Sequence, residues 1–146
     1  MKPLRIGSLC LAVAGLLSVT VNAAELRGRV VDSQTGKLLA ARIYLEDAKG
    51  QWFFVETTSA NGTAVSYDKT NWLRKDAFEK HTTVSAHPFK ANLPVGDYTL
   101  TVERGKEYFT ATRKLHIGDA AANVDVKLRR WVNMAERGWF SGETHI

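Results

Sequence analysis

The sequence predicts an all-β fold, an antiparallel sandwich of seven to eight short strands preceded by a signal peptide. Three observations lead there. Apolar and polar residues alternate along short segments, turn residues punctuate those segments roughly every ten positions, and no segment holds a helical period. Side chains two apart on a strand share a face, so each alternating segment has one side to bury.

The elements follow in order. Leu26, Gly28 and Val30 alternate with Arg27, Arg29 and Val31 in a first strand, and Ser33 to Gly36 supplies a turn. Ala41, Ile43 and Leu45 alternate with Arg42, Tyr44 and Glu46 in a second. Lys49-Gly50 turns the chain into Trp52-Phe53-Phe54-Val55. Asn61-Gly62 then reads as a two-residue hairpin turn, since both residues tolerate positive φ, with Thr63 to Tyr67 returning. Asp68 to Lys80 reads as a long irregular loop, and His81 to Ala86 as a strand ended by His87-Pro88. Phe89, the turn Leu93 to Gly96, and Tyr98, Leu100 and Val102 give the clearest strand–turn–strand pattern. Arg104-Gly105-Lys106 turns again, Leu115 and Ile117 continue the alternation, and Val124, Val126 and Leu128 form the last strand.

The N-terminus sets the compartment. Lys2 and Arg5 precede an apolar run from Ile6 to Val21, and Val21-Asn22-Ala23-Ala24 provides the small residues of a cleavage site after Ala23 or Ala24. That assigns residues 1–24 to a signal peptide, 25–130 to the sandwich, and 131–146 to a linker and the start of a further domain. Once residues 1–24 are removed, no stable membrane span is expected. Cys10, the single cysteine, departs with the signal, so the mature domain holds no disulfide, which favours a bacterial periplasmic or secreted protein. Losing Lys2 and Arg5 leaves eighteen basic residues against fifteen acidic, a balance of +3 spread along the chain. A nucleic-acid partner is not expected, because it requires a concentrated basic stripe.

Gly28-Arg-Val-Val-Asp32, with Thr35-Gly36 and Leu39 to Ile43, resembles the opening of carboxypeptidase regulatory-like domains, and Phe89 with Leu93-Pro-Val-Gly96, Tyr98 and Leu100 resembles their later signature. The resemblance implies a Greek-key, prealbumin-like (transthyretin-like) sandwich of the carbohydrate-binding-like kind, a noncatalytic module beside another domain. Gly138-Trp-Phe-Ser-Gly142-Glu143-Thr-His145-Ile146 is similar to the lead-in of secreted metal-dependent hydrolases of the polymerase-and-histidinol-phosphatase type, whose paired histidines bind metal. On that resemblance His145 matches the first histidine, Glu143 stands where the family usually has Asp, and a divalent metal belongs to a catalytic domain beyond Ile146. The chain itself then needs no cofactor, and its partner is that downstream domain.

Other chemistry is thin. Nucleophilic catalysis lacks a mature cysteine and a Gly-x-Ser-x-Gly elbow. His116, between Leu115 and Ile117, is expected to point outward, while His81 and His87 share a face only if their strand runs unbroken through to Pro88. Trp52, Phe53 and Trp72 are candidates for stacking against polysaccharide or another cell-surface ligand, with packing in the core or between domains as the alternative.

Overall fold

A computed structural model describes residues 23–140. Ten strands occupy it: β1 (Ala23–Asp32), β2 (Ala41–Asp47), β3 (Trp52–Phe53), β4 (Glu56–Thr57), β5 (Ala64–Thr70), β6 (Phe78–Val84), β7 (Phe89–Pro94), β8 (Gly96–Glu103), β9 (Ala111–Ile117) and β10 (Ala122–Leu128). They form two sheets, as the alternation requires. One is ordered β10-β1-β7-β4; the other is six-stranded, ordered β5-β6-β2-β8-β9 with β3 beside β2. The signal segment lies outside the described residues apart from Ala23 and Ala24, which open β1 opposite Pro94 and Leu93.

Inward-facing residues are those the period-two pattern selects. Leu26, Val30, Phe89, Leu93, Val126 and Leu128 come from the smaller sheet; Ile43, Leu45, Val84, Leu100, Val102 and Ile117 come from the larger. Fully burying one such side chain is worth about 1.5–3 kcal/mol. Gly28 sits opposite Phe89 in register, and a Cβ there would come within 2.2 Å of Phe89 Cζ. The ring lies flush on the glycine backbone, which the sequence alternation presented only as a small residue at an inward position.

Four details depart from the sequence reading. The described residues hold ten strands because β3 and β4 are two-residue pieces and β5 extends through Thr70. One pair is parallel: β10 runs alongside β1, with Arg29 opposite Asp125 and joined to it at 2.7 and 2.8 Å. Asp68 to Lys80 is mostly a hairpin of β5 and β6, closed where Asn71 N–H donates to Ala77 O at 2.8 Å. Asparagine in the tip orders this turn, its Oδ1 accepting from the amides of Leu73 and Arg74.

The fourth correction concerns Asn61-Gly62. It is not a hairpin turn; it lies where the chain passes from β4 in one sheet to β5 in the other, and neither residue has positive φ. Glycine is required there for closeness, since a Cβ at Gly62 would come 2.3 Å from Thr57 Oγ1 and 3.0 Å from His87 Cγ. The same logic splits Trp52 to Val55. Between β3 and β4 the chain changes sheets, and the buried Thr82 hydroxyl accepts the Val55 amide at 3.0 Å. Val95 alone carries the chain from β7 to β8 across the sandwich, and the Tyr98 hydroxyl donates to Pro94 O at 2.8 Å to hold that corner.

Replacing Gly28 with alanine is expected to cost roughly 1–3 kcal/mol, because Phe89 has no room to retreat. Urea unfolding reads this as a lower midpoint. Gly118→Ala, which meets nothing within 4 Å and is not at positive φ, serves as the control and leaves the midpoint unchanged.

Candidate functional site

The end of the sandwich where the chain leaves β10 carries the densest polar arrangement. The turn after β8 and the residues after β10 run side by side: Phe109 N–H donates to Arg129 O at 3.0 Å, Trp131 N–H to Glu107 O at 3.0 Å, and Tyr108 bridges to Arg130. Gly105, at φ +52°, makes the tight turn that brings Glu107 back to this position. Glu107 then accepts from the Arg130 guanidinium, through Nε at 3.0 Å and also through Nη2, while its other oxygen takes the Met134 amide at 3.1 Å. Trp131 Nε1 donates to Lys106 O at 2.6 Å.

A second carboxylate supports this clamp from β1. Asp32 Oδ1 accepts the amides of Gln34 and Thr35 at 2.9 and 2.8 Å, and Oδ2 accepts the Tyr108 hydroxyl at 3.0 Å. Backbone donors, the Thr35 amide foremost, hold the Asp32 carboxyl below its usual range, while its burial opposes them. Glu107 is lowered chiefly by its hydrogen bonds from Arg130, and Arg130 is raised by the same contact. Arg104 and Arg130 flank the Tyr108 ring at 5.6 and 5.5 Å, and Arg104 also donates to Ala40 O at 2.5 Å. The turn after β8 is thus bonded to the segment that follows β10, while Asp32 and Ala40 hold that turn in place.

Beyond the clamp, a short 3-10 turn (Ala135–Arg137) ends at Gly138 with φ +78°. Trp139 and Phe140 follow, 68% and 83% exposed, and with Met134, Tyr108 and Arg104 they line a cleft of about 590 Å³. Together Trp139 and Phe140 leave an exposed aromatic patch at the end of the anchored segment. His145 and Glu143 lie outside the described residues.

The other candidates sit apart. Trp52 and Phe53 fall in β3 and point to opposite faces. Phe53 packs on the core edge-to-face with Tyr98, centroids 5.4 Å apart, whereas Trp52 is half-buried against Phe78 at 6.0 Å. Trp72 is 78% exposed in the β5–β6 tip, at the opposite end of the sandwich from the clamp. The three do not make one platform. His116 points outward as expected and meets Asp97 at 2.7 Å. His81 and His87 do not share a face: His87 follows the end of β6, near Gly62, with Ser85 Oγ 2.9 Å from its Nδ1. Among the described residues, no group of three or more His, Cys, Asp or Glu side chains could hold a metal ion.

The sequence placed His81 only by its parity with His87; the structure gives it a different setting. It is only 5% exposed although it lies on the outer face of the larger sheet, stacked on Tyr67 at 5.2 Å and tilted against Tyr44 at 5.3 Å. Its Nδ1 is 3.3 Å from Glu79 Oε1 but off the line of a hydrogen bond, and among the described residues that nitrogen has no hydrogen-bond partner. Burial pushes its pKa down against the pull of Glu79. The signal available in the sequence was the matching parity of Tyr44, Tyr67 and His81 on three strands, legible only once their register is known.

No protein-family model matches the chain, and no curated protein matches it. Among solved structures, the chain is similar to the crystal structure of the group B streptococcus pilus 2b backbone protein at 17% identity and a TM-score of 0.48. The match covers 73% of this chain and 41% of that one, so this chain spans less than half of that protein's length.

Two acid-side effects are expected. A buried neutral imidazole stabilises the fold fully above the ordinary histidine range, and that contribution is lost as pH falls through its lowered value. Stability therefore declines as pH drops from about 7 toward 5, and His81→Phe, which keeps the stack, flattens the decline. The depressed carboxyls of Asp32 and Glu107 act lower. Their contribution is present above about pH 4 and lost as pH falls further, and Asp32→Asn reduces that second loss. Chemical denaturation across a pH series checks both.

Proposed function

We propose that this chain is a noncatalytic accessory β-sandwich of an exported metal-dependent hydrolase, which anchors and orients a downstream catalytic domain. The single observation carrying the proposal is the clamp at the exit end: Glu107, Arg130, Tyr108 and Asp32 fix the path of residues 129–134 while Trp139 and Phe140 stay exposed just beyond. A segment held at its root and apolar at its tip suits rigid attachment of a second body better than a flexible tether. The carboxypeptidase regulatory-like resemblance of residues 25–130 and the hydrolase-like stretch from Gly138 to Ile146 support the finer identification.

On this reading the parent is periplasmic or secreted. His145 supplies one ligand to a divalent metal, and the remaining ligands come from beyond Ile146; the metal's role there is to polarise a substrate or activate water. The part of the chain described here contributes position alone.

The test extends the reading frame past Ile146. A following histidine and a long α/β region are expected. In that longer protein, Trp139→Ala with Phe140→Ala lowers the melting temperature of the downstream domain. The same pair leaves the sandwich's own unfolding midpoint within about 0.5 kcal/mol, since both side chains are exposed. A stop codon directly after Ile146, with a soluble folded product, rejects the reading.

A second reading, a polysaccharide- or cell-surface-binding module, is favoured by one observation, the exposure of Trp72 beside Leu73 in the hairpin tip. Affinity electrophoresis in polysaccharide gels discriminates: retention that disappears in Trp72→Ala supports it, and no retention on any polysaccharide disposes of it.

A further inference from the structure

Strand β5 forms one edge of the larger sheet, and among the described residues it pairs only with β6. Six of its seven residues are exposed and Ala64 is half-buried, so nothing described covers it. An uncovered edge presents a row of backbone donors and acceptors to any strand that fits, and proteins normally blunt such edges with proline, bulges, short length or charged side chains. β5 has no proline or bulge and is regular along its full pairing with β6; its charges are Asp68, paired with Lys80 at 3.1 Å, and Lys69. Its bulkiest side chain does not obstruct approach, because the Tyr67 ring folds back to stack on His81 in β6.

We propose that β5 pairs antiparallel with β5 of a second copy of this chain, joining two six-stranded sheets into one across a two-fold axis. The occupant follows from the strand's own sequence. A two-fold perpendicular to the sheet keeps inner faces together, so only registers that oppose residues of equal parity are allowed. The register centred on Tyr67 pairs all seven residues. It sets Val65 beside the aliphatic stem of the partner's Lys69, Ser66 beside the partner's Asp68, and Ala64 beside the partner's Thr70. Serine donates to carboxylate in the second of these pairs, and no like charges oppose. Shifting the centre to Asp68 or Lys69 puts identical charges directly opposite, which is destabilising. Charge and length therefore select one register. The surface lies at the far side of the sheet from the exit clamp, so its failure leaves the proposed function untouched, and the reverse holds as well.

Sedimentation equilibrium of the secreted form, with Ser66→Asp and the double exchange Ser66→Asp/Asp68→Ser, tests the register. The natural chain is expected to dimerise reversibly. Ser66→Asp opposes Asp to Asp at two symmetric places and weakens the dimer by roughly tenfold or more. The double exchange restores serine opposite aspartate and recovers the natural dissociation constant. Ser66 and Asp68 are both exposed, and the Asp68–Lys80 pair lost in the double exchange is a surface ion pair, so circular dichroism is unchanged and unfolding midpoints move little in both variants. A monomer throughout the micromolar range, a dimer indifferent to Ser66→Asp, or a double variant as weak as the single one overturns the proposal.

Discussion

The contact between Phe89 and Gly28 governs how β1 and β7 pair on the inner face of the smaller sheet. Both residues lie on the inner face of the smaller sheet, directly opposite each other on β7 and β1, and the ring fills the space a side chain at 28 would take. That contact fixes β1 against β7 on one side, which leaves its other edge free for β10. The parallel β1–β10 pair then closes the sheet and delivers the chain to the exit end beside Asp32. A larger residue at 28 displaces the ring into a core already packed by Leu26, Leu93 and Leu100, and close-packed interiors transmit such displacements rather than absorb them.

The exit end shows how the fold turns ordinary surface charges into a fixed geometry. Glu107 and Arg130 are twenty-three residues apart in sequence and each about 30% exposed, a pair that on an open surface contributes little. Here the carboxylate also takes a backbone amide, the guanidinium lies by the Tyr108 ring, and the tyrosine hydroxyl is held by Asp32. Each group constrains another, so ordering one lowers the entropic cost of ordering the next. The result is a fixed direction for residues 129–134 rather than strong stabilisation.

The outer face of the larger sheet follows a different logic. His81 is buried there by two tyrosines rather than by the core, and its lowered pKa keeps it neutral near pH 7 as an aromatic spacer. The stack ties edge strand β5 to β2 across β6. It draws the largest side chain of β5 back over β6.

What the sequence determined by itself is the period of burial. Alternation from Leu26 to Leu128 names most of the core and both sheets' inner faces, because side-chain direction on a strand is a local property. Gly36, Gly50 and Gly105 were likewise readable as turns, and all three take positive φ. What only the tertiary structure decided is which sheet each strand joins. Asn61-Gly62 carries a hairpin's composition yet links different sheets, and Trp52 to Val55 reads as one strand yet leaves it after Phe53 to cross toward the other sheet. The clamp was illegible for the same reason: Asp32, Tyr108, Glu107 and Arg130 each obey their local pattern, and their meeting depends on pairings between residues as far as 76 positions apart. Local propensity specifies how a segment is shaped, whereas partnership between segments is settled by the packing of the whole chain.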